Sequence, residues 1–353
     1  MSILIQKSGL LSTIQDLGRT HFRRFGINPN GAMDKSAIRL INILLGNNET
    51  EAVLEIHFPA PKFLFEEAAM VALGGADFGA KLDDKPIENW RPYFIEKNQT
   101  LNFTDKVFGN RAYLSIKGGF KIEKWLGSAS TNLTAEIGGF EGRSLQKNDR
   151  LIFNLRFKIQ DTRFRIQDLG FKIQDSGFLY KISKNLIPHY SSRPTVRVIV
   201  GAEYEQMTAL SEQNFLKQDF AISNDSNRMG FRLNGEPLYL IDKIELVSSA
   251  VDFGTIQFLP DGQLIILMAD HQTSGGYPRL AHVVSTDLPI LAQLGANDKV
   301  GFEIISLAQA ENLLLQNEIE LNYLKFGIEE KLREQLSGQV LCLPNERSEN
   351  LFN

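Results

Sequence analysis

Apolar residues fall mainly in short runs separated by glycine, asparagine, aspartate and proline, a pattern that predicts β-strands joined by turns. The clearest runs are 52–56, 70–73, 112–116, 151–153, 196–200, 238–241, 255–258 and 264–268. Many short strands with few helices are typical of barrels and sandwiches. The pattern therefore predicts a mainly β fold with a few helices.

Two segments show helical spacing instead. Asp34 stands where a helix N-cap is expected, and Gly46 stands where a glycine in the left-handed conformation would end the helix. The residues between them are apolar around most of the circumference, so we expect this helix to be largely buried, as if closing a barrel end. A second helix is expected from Ser306, with Gln309 completing a capping box, and a short amphipathic segment is expected to follow around 328–336.

The segment 156–178 carries a repeated Phe-Lys/Arg-Ile-Gln-Asp motif, with phenylalanines spaced by seven residues. Apolar and polar residues alternate within each copy, so the local period is two and does not indicate a coiled coil. A duplicated insertion between domains and a partner-binding arm are both open interpretations. The small number of repeats excludes a solenoid and favours the insertion.

Composition and length narrow the class of protein. The chain has 353 residues, 43% hydrophobic and 23% charged, which is normal for a globular protein and long enough for two domains. A net charge of −4 gives no broad basic surface for nucleic acid. We find no apolar run of membrane-spanning length and no signal-peptide pattern, and the single cysteine, Cys342, fits a reducing compartment. A cytoplasmic protein with no membrane partner is expected.

Two glycine-rich stretches are candidate anion sites. Gly74–Gly79 follows an apolar run, but the turn-like residues 81–86 stand where a dinucleotide loop needs a helix, so a tight turn is favoured. For 138–144, a backbone anion nest and a bulged hairpin are equally open. The five histidines show no paired metal-ligand spacing, so we predict no metal site.

Three polar clusters, 13–19, 30–34 and 223–230, have simple structural interpretations. Asp16 would shape a turn, Asp34 would cap the helix, and Arg228 would pair with Asp225. Arg19 and Arg228 also offer planar guanidinium groups suited to a carboxylate or an acyl phosphate.

A fourth cluster, DHQTSGGYP at 270–278, follows the apolar run 264–268. A plain turn needs only its glycines and its proline, so its many polar side chains suggest a functional rim. Gly275 and Gly276 would let the backbone approach a ligand closely.

The motifs GLLSTIQDLGR, NGAMD, LGSASTNL, GGFEGR, SNRMGFRL and DHQTSGGYP occur in this order. Together they resemble the allophanate hydrolase subunit 2 family, which includes KipI antagonists and 5-oxoprolinase subunits and is related to the carboxyltransferase domain of urea carboxylases. The resemblance runs from about Gly9 to about Ile305. Two positions depart from it, because the family motif more often has arginine in place of His271 and a glutamate in place of Ser249.

The resemblance implies two cyclophilin-like β-barrel domains. With the composition, it divides the chain into a first β domain at 1–154, a linker with the repeats at 155–192, a second β domain at 193–306 and a helical extension at 307–353. It implies a subunit of an ATP-dependent 5-oxoprolinase, which opens 5-oxoproline to glutamate with ATP hydrolysis. This subunit is expected to act with a KipI-like B subunit and with an A subunit, and which subunit holds the ATP site, or shares it, is left open. Two alternatives are a non-catalytic module that binds a KipI-like regulator and a carboxyltransferase component of a biotin-dependent carboxylase.

The implied site residues fall into three groups. The expected catalytic residues at the rim are Asp270, Gln272, Thr273 and Tyr277, and the expected substrate-binding residues are Arg19, Arg228, Ser226 and Arg143. The residues expected to shape the motifs are Asp16, Asp34, Gly275 and Gly276.

Overall fold

The computed structural model describes residues 1–154, 180–242 and 246–340, without the side chains of 334–340. The repeats at 156–178 and Cys342 lie outside the described residues. Within that part the chain is mainly β with four α-helices, as the strand pattern predicts.

Two sheets face each other in the N-terminal part. One contains β1 (Ser2–Lys7), β4 (Lys62–Phe65), β6 (Ala80–Leu82), β7 (Lys85–Pro86), β9 (Thr100–Phe103) and β11 (Arg150–Ile152). The other contains β2 (Ser12–Gln15), β3 (Val53–Ile56), β5 (Ala69–Asp77), β8 (Pro92–Ile95) and β10 (Phe108–Ile116). Their strand orders are β11-β1-β4-β9-β6-β7 and β2-β3-β10-β5-β8.

Strand β5 explains why its sequence is apolar without interruption. Val71 and Leu73 point into the core between the two sheets, whereas Met70 and Ala72 point to the opposite face and pack under a helix. Because alternate side chains of a strand point to opposite faces, a strand covered on both sides needs apolar residues throughout.

Helix α1 (Lys35–Leu44) covers that outer face. The Asp34 side chain caps it by accepting a hydrogen bond from Ala37 N at 2.8 Å, and Gly46 has the left-handed φ of 66° expected at its end. The predicted cap, end and burial are confirmed. The helix lies against β5 and β10 rather than across a barrel end, because the apolar outer face of that sheet needs a cover.

The second body is a closed barrel. Its strands are β12 (Thr195–Val200), β13 (Phe220–Ile222), β14 (Gly230–Asn234), β16 (Thr255–Phe258), β17 (Leu264–Leu267), β19 (Arg279–Val283) and β20 (Lys299–Ile304). The order is β12-β19-β16-β17-β14-β13-β20, and the parallel pairing of β12 with β20 closes it. A separate ribbon joins β15 (Ser249–Ala250) to β18 (Ser274–Gly275).

Three further helices complete the described fold: α2 (Ala209–Lys217), α3 (Leu288–Ala292) and α4 (Leu307–Val340). The predicted capping box is confirmed, since Gln309 N donates to Ser306 Oγ at 3.2 Å and Ser306 N donates to Gln309 Oε1 at 2.8 Å. The expected segment at 328–336 is part of the same continuous helix α4. Among the described helices, none has both the length and the apolar character needed to cross a membrane.

Two local predictions are wrong. Residues 238–241 form only an isolated bridge between Leu240 and Met207, not a strand. Gly74 and Gly75 lie inside β5 rather than in a tight turn, and Gly75 has a φ of 73° where the pairing with β10 shifts register. A Cβ on Gly75 would lie 2.5 Å from Arg111 O, so this irregular pairing needs glycine. The domain limits given above stay a prediction.

Candidate functional site

Arg228 lies between the N-terminal sheets and the barrel, 7% exposed, just before β14. Its Nε donates to Asp270 Oδ2 at 2.8 Å and its Nη2 to Asp270 Oδ1 at 3.0 Å, while Nη1 donates to Glu55 Oε1. Nη2 also donates to Gly31 O at 2.6 Å. Each guanidinium nitrogen therefore has a protein partner, and the pairing joins β3 of the first body to the turn after β17 of the second.

Glu55 extends this network into the first body. It is fully buried, and its Oε2 accepts hydrogen bonds from Met33 N and Tyr113 Oη, both at 2.9 Å. Burial works to raise the pKa of Glu55, but the positive charges of Arg228 and Arg111 outweigh burial and lower it. Glu55 is therefore a buried carboxylate that needs its arginine partner.

Asp34 forms a second connection between the bodies. Its Oδ2 accepts from Tyr190 Oη at 2.7 Å and from Gln293 Nε2 at 3.0 Å, so the cap of α1 also binds the connecting segment and the barrel. Burial raises the pKa of Asp34 to about 6. The networks of Arg228 and Asp34 are thus two of the polar contacts that fix how the two bodies meet.

The first polar cluster holds the loop that contains LGSASTNL. Asp16 Oδ1 accepts from the hydroxyls of Ser128 and Ser130, both at 2.6 Å, and from Gly18 N at 2.8 Å. Asp16 Oδ2 accepts from Ala129 N at 2.6 Å. Asp16 thus shapes its turn, as predicted, and also binds a loop more than a hundred residues away.

Arg19 connects this loop to the hydrogen-bond network of Arg228. Its Nη1 donates to Asn30 Oδ1 at 2.7 Å, and Asn30 Nδ2 donates to Asp270 Oδ1 at 2.8 Å. Its Nη2 donates to Ser130 O at 2.5 Å, and its guanidinium carbon lies 5.0 Å from the centroid of the Trp125 ring. The motifs that are distant in sequence therefore meet around Asn30 and Asp270.

A cavity of about 130 Å³ opens beside Asn30, between the two bodies. Its lining residues are Thr20, Arg23, Pro29, Asn30, Lys35, Asp252, Phe253, Ala269 and His271. A concave site with a few converging polar groups at a domain interface is the usual form of a small-molecule site. We call it the interdomain cavity.

The lining of the interdomain cavity carries two positively charged residues, Arg23 and Lys35, and one negatively charged residue, Asp252. Arg23 donates to Asp252 Oδ2 at 2.8 Å and also to Val251 O. The half-buried Lys35 has its Nζ 5.9 Å from the centroid of the Phe253 ring. Burial lowers the pKa of Lys35, and the negative charges of Asp252 and Asp16 oppose that shift. The cavity can therefore offer a positive charge to an anionic ligand.

His271 is the fully buried titratable side chain of the same lining. Its Nδ1 lies 2.5 Å from Gln272 O, and its Nε2 is buried without a hydrogen-bond partner. Burial lowers the pKa of His271. The hydrogen bond to Gln272 O and the negative charge of Asp252 oppose this shift, and the positive charges of Arg23 and Lys35 add to it.

The remaining rim residues lie apart from this lining. Gln272 and Tyr277 are exposed, and Thr273 is half-buried with its carbonyl accepting from Val251 N at 3.3 Å. A Cβ on Gly275 would lie 2.7 Å from Gln257 Nε2, whereas one on Gly276 would meet atoms only at 3.4 Å. Gly275 therefore allows a close approach of the protein's own Gln257 side chain. The catalytic roles of Asp270, Gln272, Thr273 and Tyr277 stay predictions.

The last two expected substrate-binding residues have local protein partners. Ser226 Oγ accepts from Arg232 N at 3.0 Å and so closes the turn before β14. Arg143 pairs with Asp149 at 2.7 Å and Glu141 at 2.6 Å. These contacts favour structural roles for Ser226 and Arg143, and the full set of protein partners around Arg228 favours a structural role for it too. The expected pairing of Arg228 with Asp225 is wrong, because Arg228 pairs with Asp270 and Glu55 instead.

Sequence reasoning missed Glu55, Arg23, Lys35 and His271. Glu55 interrupts an apolar strand run, which is a usable signal of a buried charge, but its partner is 173 positions away. Lys35 follows the Asp34 cap, and His271 stands inside the motif DHQTSGGYP. Among the described residues, no group of three or more His, Cys, Asp and Glu residues has a metal-binding arrangement.

Comparison with known proteins gives consistent matches. The family model for the carboxyltransferase domain, subdomain A and B, matches residues 25–304. The chain is 36% identical over 320 residues to the 5-oxoprolinase C subunit of Haemophilus influenzae, covering 91% of this chain and 96% of the relative. It is 34% identical over 307 residues to the 5-oxoprolinase C subunit of Escherichia coli, covering 87% and 92%.

A solved structure has the same fold. The crystal structure of the K. lactis urea amidolyase aligns with a TM-score of 0.82 at 26% identity, covering 92% of this chain. The match takes up 20% of the amidolyase chain, so this protein corresponds to one part of that larger enzyme.

Proposed function

Because the chain belongs to the carboxyltransferase domain family, subdomain A and B, we propose that it is a subunit of an ATP-dependent 5-oxoprolinase. The membership confirms the resemblance seen in the motifs. The observation that carries the proposal is the nearly complete overlap with two 5-oxoprolinase C subunits, of which the chain covers 96% and 92%. In the proposed complex it acts in the cytoplasm with an A subunit and a KipI-like B subunit.

The reaction opens a five-membered lactam, whose carbonyl carbon is a poor electrophile. Transfer of the γ-phosphoryl group of ATP to the lactam oxygen releases ADP and activates that carbon. One water then adds, the C–N bond breaks, and a second water hydrolyses the resulting acyl phosphate to glutamate and phosphate. Groups that stabilise the negative charge developing on the reacting oxygens favour these steps. The ATP is bound within the complex, at a site that lies on a partner subunit or is shared with one.

The interdomain cavity is the proposed place for the lactam acid. Lys35 supplies a positive charge for the carboxylate, and Asn30 is held at the cavity by Arg19 and Asp270. Arg23 lies at the same lining but is already paired with Asp252. The arrangement suits a small anionic molecule with amide hydrogen-bonding groups.

The test is reconstitution from purified subunits. The three subunits together should convert 5-oxoproline to glutamate, followed by carbon-13 NMR, and omission of this chain should stop the conversion. Full conversion by the A and B subunits alone would refute the proposal.

The likeness to the urea amidolyase favours a second candidate, a carboxyltransferase component that acts on a urea-like amide. It predicts a reaction that depends on bicarbonate and a biotinylated partner and that forms a carboxylated amide instead of glutamate. The same NMR assay, with urea and bicarbonate in place of 5-oxoproline, separates the two.

A further inference from the structure

The imidazole of His271 is held in one tautomer by the backbone carbonyl of the next residue, Gln272. Nδ1 lies 2.5 Å from Gln272 O, and a carbonyl oxygen only accepts hydrogen bonds, so Nδ1 carries the proton and donates. In the neutral ring this leaves Nε2 with a lone pair and no proton.

The surroundings favour that neutral ring. Burial, with the positive charges of Arg23 and Lys35, lowers the pKa of His271 and outweighs the hydrogen bond to Gln272 O and the charge of Asp252, which raise it. Asp252 is the negative group nearby, but its Oδ1 lies 3.7 Å from Nε2, beyond hydrogen-bond distance. Asp252 also already accepts from Arg23 and from Phe253 N at 2.8 Å each.

Nε2 is therefore a buried acceptor without a protein donor, and it belongs to a residue that lines the interdomain cavity. A buried polar atom without a partner costs about 1–3 kcal/mol, and in folded proteins the large majority of such atoms have a hydrogen-bond partner. The geometry calls for a ligand that brings an N–H or O–H donor to this point.

We propose that His271 determines ligand specificity by accepting a hydrogen bond from the amide N–H of the bound lactam. The proposal rests on the proposed function, which supplies the lactam, and on the unpartnered Nε2, which supplies the acceptor. The carboxylate of the same ligand would pair with Lys35. A cyclic amide whose nitrogen carries a methyl group lacks the donor and would also place that methyl group against the imidazole.

The experiment compares the binding of 5-oxoproline and N-methyl-5-oxoproline to the three-subunit complex by calorimetry. We expect at least about a hundredfold weaker binding of the methylated probe, because a site built around a hydrogen bond strongly rejects an analogue that lacks the donor. In the His271→Leu complex, the dissociation constants of the two probes should differ by no more than about threefold. His189→Leu, at an exposed histidine in the connecting segment, should leave the ratio unchanged. Equal binding of the two probes by the wild-type complex would overturn the proposal.

A second readout is independent of the ligand and of any variant's folding. Nitrogen-15 NMR of the isolated chain at pH 7.5 should show a neutral His271 ring with the proton on Nδ1. A proton on Nε2, in either a neutral or a charged ring, would overturn the proposal even if 5-oxoproline is the substrate. If neither probe binds but NMR shows the proton on Nδ1, the proposed substrate is wrong, and with it the proposed specificity for a lactam. That result would still leave Nε2 of His271 as an unprotonated hydrogen-bond acceptor.

Discussion

At the residue scale, Arg228 and Glu55 hold the two bodies together through charges buried away from water. The SNRMGFRL motif marks Arg228 in the sequence, but the choice between a ligand and a structural partner depends on which carboxylate the fold places beside it. Glu55, 173 positions away, cannot be paired with Arg228 from spacing. The sequence therefore identifies the residue, and tertiary structure is needed to assign its contacts.

Arg228→Ala should lower the free energy of unfolding by about 3–5 kcal/mol, because it leaves Glu55 buried without its ion-pair partner. Urea denaturation measures the change. Arg232→Ala, at an exposed arginine on β14, is the matched control and should change it by less than about 0.5 kcal/mol. An Arg228→Ala protein of normal stability that no longer binds 5-oxoproline would instead make Arg228 a ligand-binding residue.

At the element scale, helix α1 begins at a cap that also connects the bodies. The Asp-to-Gly spacing in the sequence predicts both ends of α1, because capping is a local property. Its position against β5 and β10 could not be predicted, because it depends on which sheet face is left uncovered. The continuous α4 could likewise be predicted only in part, since its interior lacks a clear polar and apolar division.

Asp34→Asn tests the protonation of this cap. The folded-state pKa of about 6 lies above the ordinary value of 3.8, so the stabilisation from Asp34 is fully present below pH 3.8 and is lost as the pH rises through about 6. The stability of the Asn variant relative to wild type should therefore rise by up to about 3 kcal/mol between pH 4 and 7. His57, whose pKa burial lowers to about 4, has the opposite pH dependence but is present in both proteins. Urea denaturation curves that keep a constant difference across this range would contradict the prediction.

Helix α4 should stabilise the fold through its inner face. Leu321 is 6% exposed and packs with α1, while Tyr323 on the same helix is 74% exposed. Leu321→Ala should lower the free energy of unfolding by about 2–3 kcal/mol, since it removes buried apolar contacts. Tyr323→Ala should change it by less than about 0.5 kcal/mol. Equal effects of the two substitutions would mean that α4 does not pack as described.

At the scale of the whole molecule, the mainly β fold could be predicted from strand-length apolar runs, but the interdomain cavity could not. Its lining combines positions from 20 to 271, and no local pattern shows that Lys35 and His271 share one space. The ordered motifs predicted the family because they are specific in combination. The geometry then shows that several of them meet around Asn30 and Asp270.

The repeats at 156–178 should be dispensable for the fold, because near-identical units rarely fit a unique packed core. Replacing them with a short Gly/Ser linker should leave the melting temperature and the activity of the complex nearly unchanged, since each doubling of loop length costs only about 0.6 kcal/mol. Loss of soluble protein, or failure to bind the KipI-like partner, would show that the repeats belong to a core or an interface.

The most direct test of a substrate site in the interdomain cavity is the KM for 5-oxoproline of a complex that carries Lys35→Gln. The cavity predicts an increase of at least about tenfold, equal to about 1.4 kcal/mol, because the carboxylate loses its positive partner. Assembly of the complex and its melting temperature should stay near wild type, and Lys121→Gln, at an exposed lysine, should leave the KM unchanged. An assembled Lys35→Gln complex with a wild-type KM would contradict the placement of the substrate in this cavity.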